Sequence, residues 1–169
     1  IIYKKNRKLD KRFIFFNSGY NLRPTEVSAA IGHNQFKRLD TLIKVRNINR
    51  KKIISCFKQS SLLNKKIDFY YENNNVTPSW FGLPIKILVK ENKYKIIKNL
   101  EKNGIETRPI ISGNFADQPA AKKYKLTNKQ KFPNTDLVYD TSFFIGLPSQ
   151  KINKPFLKKI FSAFENSFK

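Results

Sequence analysis

No proline interrupts the chain between Pro24 and Pro78, and that span opens like a helix. Thr25 carries a side-chain oxygen suited to capping the first backbone N–H groups, and Pro24 stands just ahead of it. Glu26 falls where the positive end of the helix dipole favours a carboxylate. Val27, Ile31, Leu42 and Val45 then recur at spacings of three or four residues or their multiples. The pattern predicts one long helix over about 26–59, which leaves room in 169 residues for one further small domain. Gly32 inside that helix costs about 1 kcal/mol relative to alanine. A close approach by another backbone, from this chain or from a second subunit, is the expected compensation, and the small residues of "SAAIG" leave space for it.

The flanks read differently. Residues 1–18 are polar and basic around the aromatic cluster "RFIFF" at 12–16, an extended loop with at most a short strand. After the polar stretch "ENNNVTP", the run "SWFGLPIKILV" at 79–89 has strand composition. Pro84 inside it argues for an edge or a bulge, and Trp80 with Phe81 reads most simply as core. "ENKYKIIKNLEKNG" places Tyr94, Ile97 and Leu100 at helical spacing and ends on Gly104, suited to a left-handed C′ position. "IETRPII" at 105–111 follows as a short strand. Beyond it come the loop "SGNFADQP", a short helix near 134–142, the apolar run "FFIGLP" at 143–148 and an amphipathic helix near 154–167. The expected fold class is α/β, with a small α+β domain behind a long N-terminal helix.

A net charge of +22 invites a nucleic-acid reading. The excess, however, is 27 Lys against 7 Arg, scattered along the whole length without an arginine-rich block. Lys, Ile and Asn make up 64 of the 169 residues, a compositional bias acting on tolerant surface positions. A solvated basic surface is therefore the preferred account, with a nucleic-acid-binding module and a non-catalytic interaction domain kept as alternatives. No apolar run approaches the ~20 residues of a membrane span, and the first residues lack the features of a signal peptide, so the expected location is the cytoplasm with no membrane partner. The single Cys56 excludes an internal disulfide.

Self-contained catalytic sets are excluded by arithmetic. Cys56 and His33, the only candidates for a Cys–His pair, stand 23 residues apart, about 35 Å along one helix. One His and one Cys cannot build a zinc site of those ligands, and neither common glycine-rich nucleotide loop occurs. Two polar clusters beside turns remain. Gly19-Tyr20-Asn21-Leu22-Arg23 precedes a helix start, where backbone N–H groups, an amide and a guanidinium suit a phosphate. The same residue types also suit a plain turn with a solvated Arg. In "GIETRPIISGNFADQP", Glu106, Arg108 and Asn114 surround a strand end, and strand alternation lets Glu106 and Arg108 simply pair with each other.

Five blocks in order, "GYNLRPTEVSAAIGHNQFKRLD", "VRNINRKK", "PSWFGLPI", "GIETRPIISGNFADQP" and "FPNTDLVYDTSFFIGLPS", resemble the C-terminal half of the DegT/DnrJ/StrS family of pyridoxal-phosphate-dependent nucleotide-sugar enzymes. "SWFGLPI" and "TRPIISGNFADQP" look most like the branch of 4-keto-6-deoxyhexose 3-dehydratases acting on CDP- or GDP-linked sugars in lipopolysaccharide O-antigen synthesis, with sugar aminotransferases the close alternative. The resemblance implies an aspartate-aminotransferase-like fold and a homodimer whose active sites are shared between subunits. Pyridoxal or pyridoxamine phosphate would be the cofactor and a nucleotide-linked sugar the substrate. On that pattern residues 1–24 close the cofactor domain, 25–60 form a connecting helix and 61–169 form the small domain.

Carried over residue by residue, Asn21 contacts the cofactor phosphate in the partner subunit's site. Arg23 is a candidate for substrate or phosphate, and Glu106, Arg108 and Asn114 are candidates for the sugar-nucleotide side. The family's catalytic Lys or His lies upstream of Gly-Tyr-Asn, where this chain offers only Lys4, Lys5, Lys8 and Lys11 without the family's surrounding pattern. No catalytic residue is assigned. The expectation is a chain inactive alone that contributes to a full-length dehydratase or aminotransferase.

Overall fold

A computed structural model describes residues 14–15, 17, 19–20, 25–89, 92–126 and 131–169. Thr25 caps the first helix as expected: its backbone is extended and its Oγ1 accepts from Ser28 N–H at 3.2 Å. The helix then divides where the sequence predicts continuity. α1 runs Glu26–Phe36 and α2 runs Leu39–Lys58, separated by Lys37 and Arg38. Both residues keep right-handed backbone, but Arg38 N–H closes on Gln35 O at 3.0 Å, a tighter i→i−3 turn that ends the first ladder. Neither residue is a helix breaker, so nothing in the local sequence marks the division.

Four strands form one sheet in the order β1 (Ile67–Phe69), β2 (Gly82–Ile87), β4 (Ser142–Gly146), β3 (Thr107–Pro109), every neighbouring pair antiparallel. β2 and β3 therefore run parallel with β4 inserted between them. The helix joining them is α4 (Lys93–Lys102), so the expected strand–helix–strand unit exists in split form. Asn92 caps α4 through Oδ1. At the other end Gly104 takes φ 76°, with Ile105 N–H bonded to Leu100 O and Gly104 N–H to Glu101 O, a Schellman closure at the predicted residue. The remaining helices are α3 (Leu63–Lys66), α5 (Pro119–Lys123), α6 (Pro133–Thr141) and α7 (Lys154–Ser167).

Strand alternation builds the core. Leu83, Ile85 and Ile87 of β2 and Phe143 and Ile145 of β4 are buried together with Ile53 and Phe57 of α2, Ile96 and Leu100 of α4, and Ile160 and Phe164 of α7. Phe57 and Phe164 meet at 4.8 Å between ring centroids, and Phe164 stacks on Phe143 at 6.4 Å.

Pro84 lies in an interior strand rather than at an edge, and the hydrogen bonding explains how. Leu88 N–H donates to Lys66 O at 2.8 Å, so Leu88, Lys86 and Pro84 alternate toward β1. Extending the register places Tyr70, just past the end of β1, opposite Pro84. Proline has no N–H to give there. The Tyr70 carbonyl accepts instead from Arg50 Nη2 at 2.6 Å.

Trp80 is half-buried against the core as expected, whereas Phe81 is 66% exposed and stands edge-on to Phe144 at 5.4 Å. Around Gly32 no heavy atom lies within 4 Å of where a Cβ would sit, and α1 buries none of its residues. The described residues therefore hold no backbone close to it.

Candidate functional site

The singled-out residues that the structure describes, Glu106, Arg108 and Asn114, fall in two places. The first is a cleft of about 390 Å³ beside the end of β3. Phe81 and Phe144 form one wall, Phe156 and Lys159 of α7 the other, and Glu106 and Arg108 line it from the β3 side. Gly82 makes the first wall possible: a Cβ there would stand 2.5 Å from Phe144 Cδ2. Glu106 and Arg108 pair with each other, Arg108 donating from Nε at 3.0 Å and from Nη2 at 2.8 Å to the same Glu106 Oε1. Their side chains are 69% and 53% exposed, so the pair is open to solvent and to exchange for a ligand. Lys159 brings a second cation, with its Nζ 3.6 Å from the position a Gly104 Cβ would take. Aromatic faces flanked by two cations and one carboxylate suit a ligand that combines a planar ring with anionic groups.

The second place is the loop that leaves β3. Asn114, expected on the substrate side, is buried and engaged at both ends of its amide: Oδ1 accepts from Ala116 N–H at 3.0 Å and Nδ2 donates to Asp136 Oδ1 at 2.7 Å. It therefore caps the 3-10 turn Phe115–Asp117 and ties that turn to α6. Ile111, with φ 50°, and Gly113, with φ 71°, both take left-handed backbone. For Gly113 no other residue fits, since a Cβ would fall 2.2 Å from Tyr139 Cδ2. Asn21 and Arg23 lie outside the described residues. Their neighbours Gly19 and Tyr20 are open: nothing lies within 4 Å of a Gly19 Cβ, and Tyr20 is 94% exposed. In sequence they precede the start of α1, and a helix N-terminus is where backbone N–H groups and helix polarity favour an anion such as phosphate.

Sequence reasoning passes over the residues that hold these loops. In α2, Asn49 has no exposed surface; its Nδ2 donates to Pro148 O at 3.0 Å and Gln150 O at 2.8 Å, and its Oδ1 accepts from Ile152 N–H at 3.0 Å. Arg50, 3% exposed, bonds Tyr70 O, pairs with Glu72 at 3.2 Å and lies 4.4 Å from the Trp80 ring centroid. The only signal was polar residues on an otherwise apolar helix face. Among the described residues no cluster of His, Cys, Asp or Glu is arranged for a metal ion, and no helix is long and apolar enough to cross a membrane.

Comparison with known proteins agrees with this architecture. The chain is 33% identical over 147 residues to the GDP-4-keto-6-deoxy-D-mannose 3-dehydratase of Escherichia coli O55:H7, a match covering 85% of this chain and 36% of that protein. It is 28% identical over 162 residues to the lipopolysaccharide biosynthesis protein RfbH of Salmonella typhimurium, covering 94% and 36% respectively. The solved structure of the E. coli GDP-4-keto-6-deoxy-D-mannose 3-dehydratase with bound hydrated PLP is similar at a TM-score of 0.68 and 28% identity, over 95% of this chain and 39% of that one. The chain thus spans a little over a third of the length of the curated relatives it matches. Residues 3–161 match the DegT/DnrJ/EryC1/StrS aminotransferase family, and the chain belongs to that family.

Proposed function

We propose that this chain serves a pyridoxal- or pyridoxamine-phosphate-dependent enzyme acting on a nucleotide-linked 4-keto-6-deoxy sugar, as a 3-dehydratase or sugar aminotransferase of lipopolysaccharide synthesis in the cytoplasm. The family match over residues 3–161 carries this reading. The cofactor, when bound, supplies an electron sink for chemistry at the sugar. The chain's own residues bind and orient. Asn21 donates to the cofactor phosphate in the site of a partner subunit, with Arg23 beside it on phosphate or substrate. Glu106 and Arg108 take the sugar-nucleotide side at the cleft, where Phe81, Phe144 and Lys159 complement a base and its phosphates. Asn114 contributes by holding the loop between them.

The partner is a second copy. Val27, Ile31 and Phe36 on α1 are 70%, 59% and 74% exposed; Val27 and Ile31, four residues apart, share one face and Phe36 falls on the opposite one. A helix that is apolar on several sides is built to be covered on several sides, and the open Gly32 admits a close backbone.

The test is a chimera in which this chain replaces the corresponding region of the E. coli 3-dehydratase. Retained cofactor, dimeric mass and at least tenfold weaker cofactor retention in Asn21→Asp are expected, because a carboxylate then faces phosphate. A folded chimera that keeps its cofactor equally well with Asn21→Asp sinks the assignment of Asn21. One that binds neither cofactor nor GDP sugar sinks the whole reading.

A further inference from the structure

The described residues leading toward Gly19 are fastened to the turn and short helix that follow β3. Phe15 N–H donates to Gln118 Oε1 at 3.1 Å, and Phe15 O accepts from Ala120 N–H at 2.8 Å. Its ring lies 6.5 Å from that of Phe115. Two residues on, Asn17 Oδ1 accepts from Lys123 Nζ at 3.4 Å and from the Tyr124 hydroxyl. Residues 15 and 17 are therefore pinned to α5 and the turn before it, more than a hundred residues away in sequence.

Gln118 is the centre of this fastening. It has no exposed surface, and the amide uses both of its chemistries: Oε1 accepts from Phe15 while Nε2 donates to Ser112 O at 3.1 Å. Ser112 lies between the two left-handed residues Ile111 and Gly113. A β-branched residue in that conformation costs about 1–2 kcal/mol, and Ile111 at 76% exposure gains little packing in return. Strain of this kind persists only where neighbours over-determine the backbone, and the Gln118–Ser112 bond is one such constraint. The same loop begins two residues after Arg108, which lines the cleft.

We infer that Gln118 is a positioning residue that sets the register of the strap bearing Phe15 and Asn17, which leads toward Gly19, against the loop leaving β3. The strap and the Arg108 side of the cleft then move as one body. What the strap holds rests on the function proposed above; the register itself does not. A glutamine is required because one end must accept and the other donate. Glutamate keeps the Phe15 bond and sets a carboxylate against the Ser112 carbonyl, whereas alanine loses both.

Amide hydrogen exchange on the intact chain separates these cases. In Gln118→Ala the amides of Phe15 and Ala120 should exchange at least tenfold faster while Ile85 and Phe143 in the sheet are unchanged. In Gln118→Glu, Phe15 should stay protected. Unchanged Phe15 exchange in Gln118→Ala overturns the inference, and so does equal acceleration across the sheet, which marks a merely structural role. If Gln118→Ala does not fold, Asn17→Ala, exposed and remote from the core, releases the second pin; it should accelerate Phe15 and Ala120 and leave the sheet unchanged, and unchanged Phe15 exchange counts against the strap. In the chimera, Gln118→Ala should weaken cofactor retention at least fivefold, and unchanged retention overturns the strap's part in cofactor binding. Faster Phe15 exchange in Gln118→Ala, with retention indifferent to Asn21→Asp, would leave the register standing and remove the function assigned to Asn21.

Discussion

Asn49 gathers three backbone groups, Pro148 O, Gln150 O and Ile152 N–H, around one amide with no exposed surface. Removing it leaves two carbonyls and an N–H in a place water cannot easily reach. Each orphaned group costs more than the bond itself was worth, so Asn49→Ala should destabilise by about 3 kcal/mol. A urea titration with unchanged slope and a lower midpoint is the expected result, and a loss under about 1 kcal/mol would mean that the 148–152 segment finds other partners. The neighbouring Arg50 shows why such roles escape a reading of the sequence. "VRNINRKK" was visible as a block, but the groups that its Asn49 and Arg50 serve lie 20 to 103 residues away. Glu106 and Arg108 were legible as a pair because strand alternation is local. Asn114 was visible as a residue but not in its use, since the partner that claims its amide, Asp136, comes from another element.

Among the elements, α2 and α7 meet through more than apolar contact. Ser60, just past α2, donates to Glu165 Oε1 at 2.8 Å, and Cys56 lies close enough to the same carboxylate to feel its charge. Partial burial, and then the negative Glu165, push the Cys56 thiol above its ordinary range. A thiol whose proton is held more tightly in the folded chain contributes stability that is fully present below the unfolded pKa, ~8.5, and is lost as pH rises through the folded one. Wild-type stability should therefore fall more steeply than that of Cys56→Ala above about pH 8.5. Parallel urea midpoints for the two proteins through that window would remove the linkage. Elements governed by local rules were legible in the sequence: α7 by its apolar spacing, α4 by the spacing of Tyr94, Ile97 and Leu100 and by Gly104 at its end. The division at Lys37–Arg38 was not, because backbone geometry rather than a proline or glycine produces it. Pro84 pointed to an edge, and in one respect it has one, since β1 ends before reaching it.

Across the whole molecule, 34 basic side chains face 12 acidic ones, and the excess is not neutralised pair by pair. Several lysines sit instead against aromatic faces: Lys58 is 5.2 Å from the Tyr71 ring centroid, Lys66 5.9 Å from Phe168 and Lys123 5.5 Å from Tyr124. These contacts place a cation without cancelling it. The like charges on the surface therefore repel one another, and the repulsion is relieved on unfolding as the charges spread apart. Added salt shortens the reach of that repulsion from about 30 Å at 0.01 M to about 3 Å at 1 M. Ion pairs weaken at the same time, but the exposed Arg108–Glu106 pair has little to lose and the Arg50–Glu72 pair is partly shielded. Raising sodium chloride from about 0.02 M to about 0.5 M should accordingly stabilise the chain on the order of 1 kcal/mol, a rise of ~2–4 °C in Tm for a protein of this size. A falling Tm would mean that attraction between opposite charges outweighs the net repulsion. If the chain pairs with a second copy as proposed above, the same measurement on that dimer should show a larger rise, because two such chains bring their like charges together on association.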